Sequence, residues 1–324
     1  MTRKARAFWF TAAGTGEISD AVIPAPGPDE VLVRTLFSAM SRGTESLVSR
    51  GGVPASQHDV MRAPFQEGDF PWPVKYGYLN VGRVEEGPAD LVGRTVFCLY
   101  PHQTEYVVPA SAVTVVPEAV PAARAVLAGT VETAVNALWD AAPLVGDRIA
   151  VVGAGMVGSS VAGLLSHFPG VDVRLVDVDP ERAKVAEAFG IRYATPDEAE
   201  GELDLVVHAS ASEAGLARSL ELLGHEGTVV ELSWYGDRRV SVPLGENFHS
   251  RRLTVRGSQV GTVSPARANR RTYGDRLALA LRLLTDPAFD VLITGESAFD
   301  DLPGLVSRLA AGRLPGLGHR IVYP

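Results

Sequence analysis

The chain has 324 residues and a mass of 34.4 kDa, which suits two domains better than one small core. Its net charge of −8 argues against a general basic surface, so we expect neither a nucleic acid nor a membrane as a partner. The single cysteine, Cys98, excludes an intramolecular disulfide and a cysteine-rich structural zinc lobe. The N-terminal apolar run at residues 7–10 is too short for a signal peptide, and we expect a cytoplasmic protein.

Residues 1–118 are predicted to form a β-rich domain. Turns rich in glycine and proline separate five apolar, β-prone runs, at residues 7–10, 31–37, 78–84, 94–99 and 106–108. Short strands with such turns favour a barrel over alternating strands and helices. The polar, proline-containing segment 51–73 is long for a loop in a compact domain, and it is either a binding loop or a surface excursion.

The most informative stretch is residues 149–177. A short apolar run at 149–152, typical of a buried parallel strand, precedes Gly153, Gly155 and Gly158 in the spacing G-x-G-x-x-G, and a helical pattern follows. The first glycine permits a sharp turn, the second lets the backbone approach a pyrophosphate, and the third lets the helix pack on the strand. The unpaired N–H groups at the helix N-terminus then favour the phosphates.

Asp177 ends the next predicted strand, about 20 residues after the third glycine. Its carboxylate would accept hydrogen bonds from the adenosine ribose hydroxyls and repel a 2′-phosphate, which favours NAD over NADP. A tight strand–helix turn without a ligand is one alternative. A membrane span is another, and the strand-like start, the glycines and His167 argue against it.

Alternating strand and helix patterns continue to residue 288 and predict a doubly wound parallel sheet with helices on both faces. The predicted helices lie at residues 180–189, 213–223 and 276–284, and the predicted strands at 204–208, 228–232 and 253–257. An alanine-rich segment at 121–142 precedes the glycine stretch and reads as two helices that meet at Gly129. The tail has strand-like runs at 291–293 and 319–323 around a helix near 302–311, so it could return to the first domain.

Over nearly its whole length the chain resembles the medium-chain dehydrogenase/reductase family. The resemblance rests on SRGTE at 41–45, YGYLNVGRV at 76–84, the glycine fingerprint, and FHSRRLT at 248–254 with Ser258-Gln259. It implies an α/β chain with a GroES-like β-barrel catalytic domain, a Rossmann domain and a C-terminal return to the barrel. The expected bounds are 1–118, 119–288 and 289–324. Within the family it looks closest to the zinc-lacking branch that includes bacteriochlorophyllide hydroxyethyl dehydrogenase.

The departures from the family concern its zinc site. Zinc members show Cys-Gly-Thr-Asp where this chain has Arg42-Gly43-Thr44-Glu45, and Gly-His-Glu where it has Gly77-Tyr78-Leu79. Their third ligand falls near Gly129. Zinc binds thiolate, imidazole or carboxylate, so the resemblance implies no metal ligands and no zinc. The alternative is a shifted alignment in which other residues bind the metal.

Without a metal, hydrogen-bond donors must polarise the reacting oxygen. Tyr78 stands at a former ligand position, and its phenol either faces that oxygen or only fills the vacated space. Thr44 aligns with the hydroxyl residue that relays the proton in zinc members. Alternatively, Thr44 caps a helix that begins near Glu45.

Two further catalytic candidates carry an ionisable side chain. Arg42 either stabilises an oxyanion or forms a buried ion pair with Glu45 or Glu132. His102 lies in the loop that replaces the four-cysteine lobe, beside Tyr100, which aligns with a substrate-pocket position. It is either a general base or a structural histidine.

The resemblance also implies coenzyme contacts beyond the three glycines and Asp177. Met156 and Val157 lie at the phosphate turn, and Arg182 flanks the adenosine. Ser210, Thr133 and Trp234 lie on the nicotinamide side, and Trp234 could equally be a core residue.

We therefore predict a zinc-independent, NAD(H)-dependent oxidoreductase that interconverts a secondary alcohol and a ketone, with a small molecule as substrate. By analogy with the family we expect a homodimer. One alternative is an NAD(P)H-dependent reductase of quinones or activated C=C bonds. Another is a sensor that binds NAD without turning it over.

Overall fold

The computed structural model describes residues 3–324, which divide into two compact units. The first comprises the residues up to Gly129 together with Ile293–Pro324, and the second comprises Thr130–Leu292. Within the described part of the chain, no helix combines the length and the apolar composition that a membrane crossing needs.

The first unit is built mostly of strands. Its N-terminal part contains β1 (Arg3–Ala12), β2 (Thr15–Ile23), β3 (Glu30–Met40), α1 (Thr44–Ser49), β4 (Glu67–Gly68), β5 (Val74–Lys75), β6 (Asn80–Glu86), β7 (Thr95–Cys98), β8 (Glu105–Pro109), β9 (Val113–Val115) and α2 (Ala122–Ala125).

The second unit alternates helices and strands, and its first helix starts two residues before the unit does. Its elements are α3 (Ala128–Ala141), β10 (Arg148–Val152), α4 (Met156–Leu165), β11 (Asp172–Val176), α5 (Ala183–Ala188), β12 (Arg192–Ala194), β13 (Leu203–His208), α6 (Glu213–Glu221), β14 (Leu223–Glu231), α7 (Asn247–Ser250), β15 (Thr254–Gly257) and α8 (Tyr273–Leu283). The chain then re-enters the first unit as β16 (Ile293–Ala298), α9 (Leu302–Ala310) and β17 (Gly318–Val322).

Two sheets form the first unit. One has the order β2-β1-β5-β4 and the other the order β16-β17-β3-β6-β7-β9, with β8 paired to β3 as well. The last strand, β17, pairs antiparallel with β3, so that His319 lies opposite Met40 and Val322 opposite Phe37. Residues from the two ends of the sequence thus share one sheet.

The second unit holds a parallel sheet of order β12-β11-β10-β13-β14-β15. The strand order reverses between β10 and β13, which is the arrangement of a doubly wound nucleotide-binding sheet. Ligands of such sheets bind at the carboxyl ends of the strands, next to this reversal. The predicted α/β fold class is therefore confirmed.

Several predicted boundaries differ from the observed ones. The alanine-rich segment breaks at residues 126–127, and Gly129 lies inside the first turn of α3, where an added Cβ would lie 2.6 Å from Cδ2 of Leu79. Close packing and not a helix break therefore explains this glycine. The run at 291–293 ends a 3₁₀ helix, Pro287–Leu292, before β16 begins. The first unit extends to Gly129 because α2 packs against β3 and β6.

The strand β2 was not predicted from the sequence. Its side chains are mostly exposed or half-buried, since it is an edge strand that pairs only with β1 in its sheet. A strand without a buried face lacks the apolar alternation that makes strands recognisable in a sequence.

A buried ion pair ties α3 to α8. Arg276 is 2% exposed, and its Nε donates to Glu132 at 2.9 Å. Its two other nitrogens donate to Oδ1 of Asn136 and to the carbonyl of Val260, both at 2.6 Å. Burial raises the pKa of Glu132, and the charge and hydrogen bond of Arg276 oppose that rise. The arginine thereby fixes the chain after β15 against both helices.

We expect Arg276→Met to destabilise the protein by about 3–5 kcal/mol, because it leaves the Glu132 carboxylate buried without its cation. The double variant Arg276→Met/Glu132→Leu should recover much of this loss, since no charge then stays buried. Urea unfolding followed by circular dichroism measures both. Equal destabilisation by the single and the double variant would contradict the argument.

Candidate functional site

Two of the fingerprint glycines are required by the packing of the second unit. Gly153 follows β10 with a φ of +103°, and an added Cβ would lie 2.5 Å from the backbone nitrogen of Ser210. At Gly158 an added Cβ would overlap the carbonyl oxygen of Gly153. These glycines let β10, α4 and the chain after β13 approach closely, whether or not a ligand binds.

Gly155 is different, because nothing in the protein requires a glycine there. It is exposed, has an ordinary extended conformation (φ −74°, ψ −174°), and an added Cβ would have no neighbour within 4 Å. It is the N-cap of α4, and no side chain caps that helix. The open space therefore lies in front of unpaired helix N–H groups, which is where a phosphate group binds. The cradle fits the pyrophosphate of a dinucleotide.

Asp177 lies at the same edge, directly after β11. Its Oδ2 accepts a hydrogen bond from the backbone N–H of Ala154 at 2.6 Å, and its Oδ1 accepts one from that of Asp179 at 2.9 Å. The carboxylate is partly exposed and keeps acceptor capacity for a further donor. Arg182, the last residue of the 3₁₀ turn Pro180–Arg182, forms an ion pair with Asp179 at 3.3 Å and so lies near this loop.

The other predicted coenzyme residues are distributed as follows. Met156 and Val157 form the partly exposed first turn of α4, and Ser210 and Trp234 are partly exposed after β13 and β14. These four share the carboxyl edge of the sheet with the glycine turn. Thr133 lies within α3.

The prediction did not include a buried pair at the same edge. His208, the last residue of β13, is fully buried, and its Nδ1 lies 2.7 Å from Oε2 of Glu231, the last residue of β14. Its Nε2 lies 2.6 Å from Oγ of Ser210. An available signal was that the predicted strand 204–208 ends on His208, and that the predicted strand 228–232 has a carboxylate, Glu231, one residue before its end.

In the first unit, Tyr78 lies within a cluster of hydroxyl groups. Its half-buried phenol is hydrogen-bonded to the side chains of Ser41 and Thr44. Burial raises the pKa of Tyr78, and these two hydrogen bonds oppose the rise. The ring packs edge-on against Tyr76, with the ring centroids 6.0 Å apart. Two predicted catalytic residues, Tyr78 and Thr44, are therefore in direct contact.

The suggestion that Thr44 caps a helix is wrong. Thr44 is the first residue of α1, the N-cap is Gly43, and no side chain makes a capping hydrogen bond. Its hydroxyl is instead bonded to Tyr78. The role of Thr44 as a proton relay stays a prediction.

Behind this cluster runs a buried chain of hydrogen bonds. Glu45 accepts from the backbone N–H of Ser41 at 2.5 Å, and its other oxygen lies 2.8 Å from Nε2 of His102. Nδ1 of His102 lies 2.7 Å from Oγ of Ser38, which lies 2.9 Å from the Tyr323 hydroxyl. His102 is 1% exposed and both its nitrogens are engaged, so action as a general base would require one of these bonds to open.

Arg42 is directed towards the returning C-terminal segment. Its guanidinium donates to the carbonyl of Leu314 at 2.7 Å and to that of Gly316. The two carboxylates suggested as its partners are engaged elsewhere, Glu45 with His102 and Glu132 with Arg276. The arginine thus holds the return segment beside α1, and its predicted role on an oxyanion stays untested.

A zinc ion does not fit the residues at the aligned ligand positions. Arg42 and Tyr78 are not ordinary zinc ligands, and Gly129 has no side chain and packs against Leu79. Over residues 3–324, no three His, Cys, Asp or Glu side chains lie close enough together to hold a metal ion.

Comparison with known proteins supports the fold. No family model matches the sequence. Alcohol dehydrogenase 1 of Emericella nidulans is 24% identical over an alignment of 335 positions, gaps included, which covers 91% of each chain. Among solved structures, a protein assigned as a zinc-binding dehydrogenase from Sinorhizobium meliloti 1021, bound to NADP, is similar with a TM-score of 0.79 and 17% identity, covering 99% of both chains.

A further structure, a short chain alcohol dehydrogenase of Escherichia coli CFT073 complexed with NADH, has a TM-score of 0.78 and 16% identity, covering 98% of this chain and 99% of its own. Such similarity establishes a GroES-like unit joined to a Rossmann unit. It does not single out the zinc-lacking branch suggested by the sequence.

Gly155 and Gly158, two of the three fingerprint glycines, should respond differently to substitution. We expect Gly158→Ala to destabilise the protein by about 1–3 kcal/mol, because the added methyl group collides with the backbone. Gly155→Ala should leave the melting temperature unchanged yet weaken NADH binding roughly tenfold or more, because its methyl group occupies the open cradle. Thermal melts and NADH fluorescence titrations test this. Unchanged NADH affinity in Gly155→Ala would contradict the assignment of the cradle.

Proposed function

We propose that the protein is a zinc-independent oxidoreductase that uses NAD(H) to interconvert a secondary alcohol and a ketone. The observation that carries the proposal is Gly155, whose missing side chain serves no need of the protein but leaves an open cradle at a helix N-terminus. The fold is shared with dehydrogenases solved with NADH and with NADP. The cluster around Tyr78 supplies the donors that a carbonyl oxygen requires.

In this proposal the second unit holds the coenzyme. The N–H groups of Met156 and Val157 face the pyrophosphate, and Asp177 accepts hydrogen bonds from the adenosine ribose. When bound, the nicotinamide supplies or accepts the hydride. The contacts of the carboxylate with Ala154 and Asp179 fix its position, so a 2′-phosphate on the ribose would meet a negative charge. This favours NAD over NADP.

The first unit holds the reacting oxygen. Because burial raises the pKa of Tyr78, its phenol stays protonated at neutral pH and can donate a hydrogen bond to a substrate carbonyl. As the carbonyl carbon is reduced, the developing charge on its oxygen is stabilised by this donor, and the phenol proton can be transferred to it. The hydroxyls of Ser41 and Thr44 would then donate to the phenolate that remains.

The same cluster supports catalysis without zinc. In zinc members of the resembled family the metal polarises the oxygen, whereas here Tyr78 and Thr44 would share that task. The buried carboxylate near them, Glu45, is occupied by a backbone N–H and by His102.

Aromatic side chains around Tyr78 favour an apolar or ring-bearing substrate. Phe70 packs against Tyr76 with ring centroids 5.6 Å apart, and Tyr76 packs against Tyr78. A substrate oxygen held by the phenol would therefore approach a predominantly aromatic surface.

The decisive experiment is a turnover assay on protein treated with 1,10-phenanthroline and checked for metal content. We expect oxidation of NADH at 340 nm with a panel of aryl and alicyclic ketones, and secondary alcohols as products. Products saturated at a C=C bond, or quinols, would indicate the alternative reductase activity. NADH binding without turnover across the panel would indicate a sensor. Loss of activity that zinc restores would refute zinc independence.

The preference for NAD should depend on Asp177. We expect Asp177→Ala to weaken NAD binding roughly tenfold, as is typical of a lost hydrogen bond to a charged group, and to reduce discrimination against NADP. Asp172→Ala, at the opposite end of β11, is the matched control and should retain the preference. Dissociation constants for NAD and NADP measure both. An unchanged ratio in Asp177→Ala would rule out the ribose contact.

The phenol of Tyr78 should be required for turnover and not for coenzyme binding. We expect Tyr78→Phe to lower kcat by roughly 10²-fold or more with the NADH dissociation constant unchanged. Tyr76→Phe, which removes a neighbouring phenol hydroxyl, should keep kcat. Because the pKa of Tyr78 is raised, wild-type ketone reduction should not decline through Tyr78 ionisation below pH 9. Wild-type turnover in Tyr78→Phe would reduce this tyrosine to a packing residue.

A further inference from the structure

A chain of hydrogen bonds leads from a partly buried carboxylate, Glu231, through the buried His208 to the surface at the carboxyl edge of the parallel sheet. Oε2 of Glu231 lies 2.7 Å from Nδ1 of His208, and Nε2 of His208 lies 2.6 Å from Oγ of Ser210. The Ser210 hydroxyl in turn lies 2.8 Å from that of Ser212, which is exposed and is the N-cap of α6. The hydrogen-bond chain thus has a partly buried anion at one end, a buried imidazole in the middle and an accessible hydroxyl at the other end.

The Glu231 carboxylate is well supplied with donors. Its Oε1 accepts from the backbone N–H of Ser233 at 2.7 Å, and its Oε2 accepts from the Tyr235 hydroxyl at 3.2 Å. Burial alone would raise the pKa of Glu231, but the hydrogen bond and charge of His208 and the Ser233 bonds outweigh it, and the pKa is lowered. Glu231 is therefore ionised at neutral pH.

Other charged groups near the chain lie at its outer side. Arg238, which follows Tyr235, donates to the carbonyl of Ala211, and Glu213 is exposed in the first turn of α6. Of the other ionisable side chains on β13, α6 and β14, Asp204 pairs with Arg148, Arg218 with Glu221 and Glu226 with Arg252. Glu231 is the one in direct contact with the imidazole.

The direction of each hydrogen bond follows from what each group can donate. A carboxylate only accepts, so Nδ1 of His208 must carry a proton and donate to Glu231. In the neutral ring Nε2 is then an acceptor, so Ser210 must donate its hydroxyl proton to it. Towards any other group Ser210 can then only accept. If His208 becomes protonated, Nε2 donates instead, and the Ser210 hydroxyl proton is released to donate elsewhere.

Ser210 lies beside the phosphate turn of the same unit. An added Cβ at Gly153 would lie 2.5 Å from the backbone nitrogen of Ser210 and 2.7 Å from its Cα. The side chain is partly exposed. A dinucleotide bound at the turn therefore brings both ribose hydroxyls, which can donate, and pyrophosphate oxygens, which only accept, to the vicinity of this serine.

We propose that Glu231 and His208 are positioning residues that set whether Ser210 accepts a hydrogen bond from, or donates one to, the bound coenzyme. With His208 neutral, Ser210 accepts from a coenzyme hydroxyl, and with His208 protonated, it donates to a pyrophosphate oxygen. This inference rests on the proposed coenzyme site. Protonation also changes the Glu231–His208 pair from a net charge of −1 to 0, so an anionic dinucleotide should bind more tightly as the pH falls.

The test is calorimetric titration of the full-length protein with NAD between pH 5.5 and 8.5, in two buffers of different ionisation enthalpy. We expect wild-type affinity to rise roughly threefold to tenfold towards low pH, the size of one hydrogen bond gained, with proton uptake on binding. His208→Gln should abolish both the rise and the proton uptake, and Ser210→Ala should reduce both to the part that the charge of the Glu231–His208 pair supplies. His225→Gln, which changes an exposed histidine of β14, should retain both.

A further variant keeps the inference testable if His208→Gln does not fold. Glu231→Gln removes the charge that stabilises the imidazolium, so its affinity rise should move to lower pH without disappearing. Persistence of the rise in His208→Gln, or a pH-independent wild type that binds NAD, would overturn this inference alone. A wild type that binds no dinucleotide at any pH would overturn the proposed function as well.

Discussion

The second unit depends on the close backbone contact at Gly153 and Gly158. Because neither residue has a side chain, the backbones at the end of β10, at the start of α4 and after β13 can be in direct contact. That contact determines where the other polar groups lie: Asp177 bonds to the N–H of Ala154 within the turn, and Ser210 packs on the turn from the other side. A helix N-terminus, a carboxylate and a hydroxyl thereby converge without any need for a dedicated binding loop.

The first unit solves a different problem, which is how to keep a buried carboxylate and several hydroxyls hydrogen-bonded. Glu45 is completely buried, and burial of an anion is costly unless donors surround it. His102 and the N–H of Ser41 supply those donors, and the chain continues through Ser38 to Tyr323. Glu45 is thus supplied with donors other than Tyr78 and Thr44, which lie beside each other.

The sequence predicted the parts of the fold that have a strong local pattern. The parallel strands are short apolar runs, and the glycine spacing locates the turn after β10. The edge strand β2 was missed because it lacks a buried face, and the break near Gly129 was misplaced because a glycine required by Leu79 was taken for a helix end. Pairings between distant residues have little local sequence signal: His102 and Glu45 lie in a loop and a helix, and only His208 and Glu231 share the feature of lying at strand ends. The same limit applies to Arg42, whose carbonyl partners lie more than 270 positions away.

The placement of β17 has a consequence for biosynthesis. This strand pairs with β3, and Tyr323 directly after it closes the hydrogen-bond chain at Ser38. While a ribosome is still producing residues 130–292, residues 37–40 of β3 therefore lack their β17 partner, and the carboxylate-to-tyrosine chain is unfinished. The parallel sheet, whose strands all lie within one continuous stretch, can fold during that interval. We infer that the nascent polypeptide folds its parallel sheet first and is exposed to strand-mediated aggregation until β17 emerges.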